Sequence, residues 1–285
     1  MVEEHGDTGR RAADWAGSSK PTFDCIRTIG RPSKPRSAGL TYARDSTRGI
    51  RELEDLLESA ADYIDILKFP GFVPRLVPRD VLARKVALCE QYGVVCGLGG
   101  ALLEIALLQG GRAVDDLLAS AKELGIGCIE VCRQIAIVPT DDLVELVHVV
   151  QDHGLRALAE AGVAYGISER DEVDVDEGRV IDTLHRLHEA GAWRLVLESE
   201  GLTESRRRED QRWDVVQRIV NDVGPANIIL EADDPEVWAR HIRAYGPEVN
   251  LFVDSSRVLT VEGARRGGWS QPAYLINRVA RLHGE

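Results

Sequence analysis

A chain of 285 residues, 44% hydrophobic and 29% charged, holds enough apolar material for one large domain, and no apolar stretch reaches membrane-spanning length. Its formal net charge of −12 excludes a chain-wide footprint for nucleic acid or for an anionic membrane, leaving at most a local basic pocket for a small anion. Five scattered cysteines (25, 89, 96, 128, 132) read as reduced core thiols of a cytoplasmic protein. Cys128 and Cys132 face one side of a strand, but no second pair completes a zinc set, and Arg10-Arg11 is not followed by a signal-type apolar region.

Residues 1–35 are polar and rich in Gly, Ser, Arg and Pro, with Trp15 and Phe23 as aromatic punctuation, and read as a flexible tail or oligomer arm. The folded domain is then 36–285. A short strand is expected over 38–41, then a helix over 49–61 with Leu53, Leu56, Leu57 and Ala60 on one face. A second strand over 63–67 closes on Lys68. Pro78 opens the next helix and Gly93 ends it. Strand three, over 94–96, runs into Gly97-Leu98-Gly99-Gly100 and a helix from Ala101. Strand four covers 127–131, and Thr140 with Asp141 and Asp142 signals the next helix start. Strands over 155–160, 193–198, 227–231 and 249–254 follow, the last after Tyr245-Gly246-Pro247. Eight strands alternating with helices predict an α/β fold, a (β/α)8 TIM barrel, with an open doubly wound sheet as the alternative.

Several of these strands end in an acid: Glu130, Glu160, Glu198, Glu231 and Asp254. In a barrel, strand carboxyl ends converge on one mouth, so acids distant in sequence meet there and suggest a metal ion. The competing reading is that each acid caps the helix that follows. Lys68 places an ammonium among them, as a structural ion pair, an electrostatic clamp or a proton carrier. Gly99 and Gly100 precede a helix and offer backbone N–H groups to a phosphate, or serve only as a tight turn. Glu104, one turn into that helix, either reaches the mouth or complements the helix dipole. Arg133 and Arg206 lie beyond strands four and six and are candidates to hold an anionic substrate. The histidines fall on helices or tails, and no Ser-His-Asp order, phosphate-binding Walker loop or dinucleotide fingerprint is present.

Arg31-Pro32-Ser33-Lys34-Pro35-Arg36 leading into Gly39-Leu40-Thr41, Asp65-Ile66-Leu67-Lys68-Phe69, Ile129-Glu130, Glu160-Ala161-Gly162, Glu231-Ala232 and 245–254, ending in Asn250-Leu251-Phe252-Val253-Asp254, resemble the landmarks of the phosphosulfolactate synthase family, including its plant heat-stress-associated branch. The resemblance spans roughly Arg31 to Gly267 and implies a (β/α)8 barrel, commonly in homo-oligomers, that adds sulfite to phosphoenolpyruvate with magnesium. The residues and the resemblance together make Lys68 and Glu160 the expected catalytic pair and Glu130, Glu198, Glu231 and Asp254 the expected Mg2+ ligands, with Gly99 and Gly100 expected to bind substrate; Arg133 and Arg206 join the substrate-binding set on their positions alone. Attack at C3 of phosphoenolpyruvate builds negative charge conjugated to the carboxylate, which a divalent cation stabilises before an acid protonates it.

The sequence departs from the family pattern at several loops. Val163-Ala164 stands where the synthases place a lysine, Pro70-Gly71-Phe72-Val73-Pro74 replaces a small polar loop, Ser199-Glu200-Gly201-Leu202 replaces the phosphate loop, and Cys132-Arg133 replaces a polar acidic turn. These changes leave three readings open: the synthase, a lyase or isomerase acting on a less charged enolisable acid, and a stress-associated or scaffold barrel that lost its site.

Overall fold

The computed structural model describes residues 22–162, 176–204 and 207–267. Eight strands, β1 (Thr41–Arg44), β2 (Ile66–Phe69), β3 (Val95–Leu98), β4 (Cys128–Val131), β5 (Arg156–Ala161), β6 (Arg194–Leu197), β7 (Ile228–Glu231) and β8 (Asn250–Asp254), pair in parallel in sequence order. The pairing of β1 with β8, Ala43 opposite Val253, closes the barrel. Around it lie α1 (Ile50–Ala60), α2 (Val73–Leu76), α3 (Arg79–Gln91), α4 (Ala101–Gln109), α5 (Gly111–Glu123), α6 (Thr140–Asp152), α7 (Glu177–Glu189), α8 (Trp213–Val223), α9 (Pro235–Tyr245) and α10 (Val258–Arg265). Among the described residues no helix is long and apolar enough to cross a membrane.

Two packing regions hold the barrel together. The larger lies between strands and helices: α1 buries Leu53, Leu57 and Ala60, and α8 buries Val215, Val216, Ile219 and Val220. Each fully buried aliphatic side chain there contributes roughly 1.5–3 kcal/mol before ordering costs. The smaller fills the lumen with Tyr42, Ile66, Cys128, Leu158, Val196, Ile229 and Phe252, and the Tyr42 and Phe252 rings lie 4.6 Å apart. β3 adds only Gly97 at this level, because a Cβ there would sit 3.0 Å from the Cys128 sulfur. Since side chains alternate along a strand, the residues two positions beyond this apolar layer form the next layer, at the mouth.

The elements fall where the pattern predicts, with shifted edges. The first strand is Thr41–Arg44 rather than 38–41. Gly39 adopts φ +67 and donates its N–H to the Glu248 carbonyl, while the Leu40 N–H goes to the Asn250 side chain, so strand pairing begins only at Thr41. The second strand starts later than expected because Ala61–Tyr63 form a turn of 3-10 helix after α1. Lys68 therefore lies inside β2.

Part of the expected tail is built into the fold. The Arg31 guanidinium pairs with Glu262 at 2.8 Å, Arg36 pairs with Asp65, and the Lys34 ammonium donates to the carbonyls of Ala61, Ile64, Tyr92 and Gly93. These residues latch across the end of the barrel opposite the acids. Cys89, Cys96, Cys128 and Cys132 are buried free thiols, and Cys25 is exposed.

Candidate active site

The mouth layer is charged. Lys68 from β2 and Glu130 from β4 meet there, the ammonium 2.8 and 2.7 Å from the two carboxylate oxygens. Glu130 also accepts from the Tyr42 hydroxyl at 3.0 Å and the Gly100 N–H at 3.1 Å. The Lys68 ammonium stands 4.5 Å over the Phe252 ring. Burial alone would lower the Lys68 pKa, but Glu130, Glu160 and Glu231 outweigh it and hold it above the ordinary lysine value. The ammonium is therefore permanent, an electrostatic element rather than a proton carrier.

Beside this pair lies a chain of three further acids. Glu198 stands between Glu160 and Glu231, close enough for its carboxyl to interact with both. The side-chain nitrogen of Gln134 stands 2.5 Å from an oxygen of Glu160 and 2.5 Å from one of Glu198. Ser199 donates its N–H and hydroxyl to Glu231 at 3.1 and 3.0 Å. Burial, then Glu130 and Glu198, push the Glu160 carboxyl well above the usual range, and burial with Glu198 does the same to Glu231. For Glu198 burial acts upward, but the hydrogen bonds from Glu231 and Glu160 and the Lys68 charge prevail and lower it. Of the three, Glu198 is the acid whose charged form its surroundings favour.

Glu130 and Asp254, two expected metal ligands, are committed elsewhere. Both Glu130 oxygens are used by Lys68, Tyr42 and Gly100. Asp254 caps the turn that follows β8, accepting from the Ser256 N–H and hydroxyl and from Ser46, so for this acid the capping reading holds. It belongs to a rim network in which Arg44, at the end of β1, pairs with Asp233 and lies 3.6 Å from Asp254.

Gly99 and Gly100 are likewise a packed turn rather than an open cradle. Their N–H groups go to the Phe69 carbonyl and to Glu130. A Cβ at Gly99 would crowd Lys68, and one at Gly100 would lie 2.2 Å from the Cys132 sulfur. Arg133 is buried and donates to the Val138 carbonyl and to the hydroxyls of Thr140 and Thr183, tying the loop after β4 to α6 and α7. Arg206 and Val163-Ala164 lie outside the described residues.

The residues missed from sequence are Tyr42, Arg44, Gln134 and Ser199. Tyr42 and Arg44 share the inward alternation of β1, a signal obscured by placing that strand three residues early. Ser199 directly follows an acid-ended strand, and Gln134 carried no signal beyond its position after β4.

Among the described residues no group of three or more His, Cys, Asp or Glu is spaced to hold a metal ion. Glu198 and Glu231 nonetheless offer adjoining hard oxygens. Magnesium, which keeps several waters and commonly takes only one or two protein carboxylates alongside substrate oxygens, fits that donor set.

Comparison with known proteins gives this mouth a context. At the level of fold, the carboxyl transferase domain of pyruvate carboxylase from Rhizobium etli superposes with a TM-score of 0.56 at 12% identity, covering 83% of this chain and 45% of that one. The 3-hexulose-6-phosphate synthase of Salmonella typhimurium gives 0.52 at 11% identity, covering 79% and 98%. In sequence, the phosphosulfolactate synthase of Methanothermobacter thermautotrophicus is 30% identical over 254 residues, 86% of this chain and 95% of the relative. The Arabidopsis thaliana protein HEAT-STRESS-ASSOCIATED 32 is 26% identical over 255 residues, 82% and 88%. The family model described as (2R)-phospho-3-sulfolactate synthase (ComA) matches residues 29–271. The chain belongs to the (2R)-phospho-3-sulfolactate synthase family and is an enzyme of that carbon–sulfur lyase type.

Proposed function

We propose that this barrel joins a sulfur nucleophile, sulfite or a close relative, to C3 of phosphoenolpyruvate or a related enolisable acid, with Mg2+ held by Glu198 and Glu231. The observation that carries the reading is the run of adjoining acids Glu160, Glu198 and Glu231 at the mouth, beside the fixed Lys68 ammonium, in a chain of this family. A bound divalent cation would supply electrophilic stabilisation of the substrate carboxylate on which charge develops.

The chain's own residues account for the remaining steps. Lys68 adds a permanent positive field beneath the mouth, and Arg44, a third exposed at the rim, is placed to draw in an anionic substrate. As the carbon–sulfur bond forms at C3, the π pair of the double bond moves to C2. Glu160, buried against Glu130 and Glu198, is the acid placed to deliver a proton to C2, and its carboxylate is reprotonated from solvent after product leaves. Tyr42, Gly100 and Lys68 keep Glu130 fixed, so the floor of the site does not rearrange as charge moves.

Incubating the protein with Mg2+, phosphoenolpyruvate and sulfite and following phosphosulfolactate by mass spectrometry tests the reading. Product that depends on Mg2+ and is lost in Glu231→Gln supports it. No product, together with no saturable binding of phosphoenolpyruvate, would return the chain to the alternative of a barrel that kept its shape and lost its chemistry.

A further inference from the structure

Glu104 lies on the first turn of α4 and is 2% exposed. One of its oxygens accepts the Gln134 N–H at 3.0 Å and the Cys132 thiol at 3.1 Å. The other accepts the N–H groups of Ile135 and Ala136, at 2.9 and 2.8 Å. Three consecutive backbone donors thus converge on a single buried carboxylate, a concavity of the kind that binds anions, here filled from within the chain. The segment so held is the start of the loop between β4 and α6, and its first anchored residue is Gln134, whose side chain bridges Glu160 and Glu198. Helix-dipole complementation alone does not require these four contacts.

We infer that Glu104 is a positioning residue: by fixing the backbone of 134–136 it aims the Gln134 amide so that Glu160 and Glu198 are held in register across the mouth. This rests on the proposed reading in which Glu198 is a cation ligand and Glu160 the acid. The bridge orders two side chains before any ligand arrives, so the ion does not bear the cost of ordering them. Partners that orient metal ligands from outside act on affinity at the scale of about 10–100-fold, and Glu104 acts at one further remove, through Gln134.

The experiment is a double-mutant cycle read by Mn2+ binding, followed by electron paramagnetic resonance or calorimetry on the full chain without substrate. Glu104→Gln replaces one acceptor oxygen with a donor facing N–H groups, and Gln134→Ala removes the bridge. Each single variant is expected to weaken Mn2+ binding by about tenfold, and the pair by no more than the larger single effect, because both act through one element. Additive losses, or unchanged binding in Glu104→Gln, would overturn the inference. Should Glu104→Gln fail to fold, as judged by circular dichroism, Glu104→Asp serves in its place: it keeps the charge but is one methylene short of the three donors. Hydrogen exchange at Ile135 and Ala136 is expected to accelerate in either variant, and unchanged protection there would also count against the role. A wild-type protein with no saturable Mn2+ binding would refute the cation reading itself. Wild-type binding without coupling would refute only the role of Glu104.

Discussion

Lys68 and Glu130 lie 2.7 Å apart at their closest, both nearly sealed from solvent, so neither charge can be removed without stranding the other. Truncating one member of a buried pair costs more than the pair contributes, because the survivor stays desolvated and unmatched. Lys68→Met is therefore expected to destabilise the fold by about 3–5 kcal/mol, and Lys68→Met with Glu130→Leu to recover most of that loss. Urea unfolding of the three proteins checks this. A double variant no more stable than the single would show that Tyr42 and Gly100 depend on the Glu130 carboxylate for more than its charge.

Gly100 is a steric prediction. A methyl group there would approach the Cys132 sulfur to 2.2 Å, so Gly100→Ala is expected to cost about 1–3 kcal/mol. Adding Cys132→Ala should restore part of it by vacating the space. The melting temperatures of the single and double variants decide between this contact and a general loss of turn geometry.

The acids of the mouth should separate by role. Asp254→Ala removes a cap and is expected to cost about 1 kcal/mol while leaving Mn2+ binding unchanged. Glu231→Gln should instead weaken Mn2+ binding, with a smaller change in unfolding midpoint. Parallel calorimetric titrations of the two variants would expose the division as wrong if Asp254→Ala also lost the ion.

His241 sets an acid limit. It is buried against Trp213 and Tyr245, lines a small void together with Glu198 and Glu231, and has its pKa lowered to about 3 by burial and then by Arg240. Because the unfolded chain binds this proton near pH 6.5 and the folded chain does not, the contribution is constant above that value. It falls as pH drops from 6.5 toward 3, by at most about 1.4 kcal/mol per unit. Unfolding free energy measured across pH 7 to 4 should show this slope, and His241→Phe should flatten it.

The barrel was legible because apolar runs closing on acids recur with helical stretches between them, a pattern that an eight-fold parallel fold imposes on its strands. Glu160, Glu198 and Glu231 were legible for the same reason. What the pattern could not separate is a free acid from a committed one. Glu130 and Asp254 occupy equivalent strand ends, yet one is locked by an ammonium two strands away and the other by its own following turn. Gly100 shows the same limit: a glycine before a helix suits a phosphate, but here it admits a sulfur atom. Gln134 was invisible because its role depends on a carboxylate 30 residues earlier that shapes its backbone.

The latch formed by Arg31, Lys34 and Arg36 gathers carbonyls and an acid from the segments that follow α1 and α3, and an acid from α10, at the end remote from the mouth. Structural integrity is thus secured at the foot of the molecule while chemistry is hosted at its head. Replacing Arg31, Lys34 and Arg36 together with alanine should lower the melting temperature sharply, whereas alanine at the exposed Arg27 should not. Such a division lets the upper loops diverge without endangering the framework, so relatives of one descent can change what they accept while keeping the same foundation.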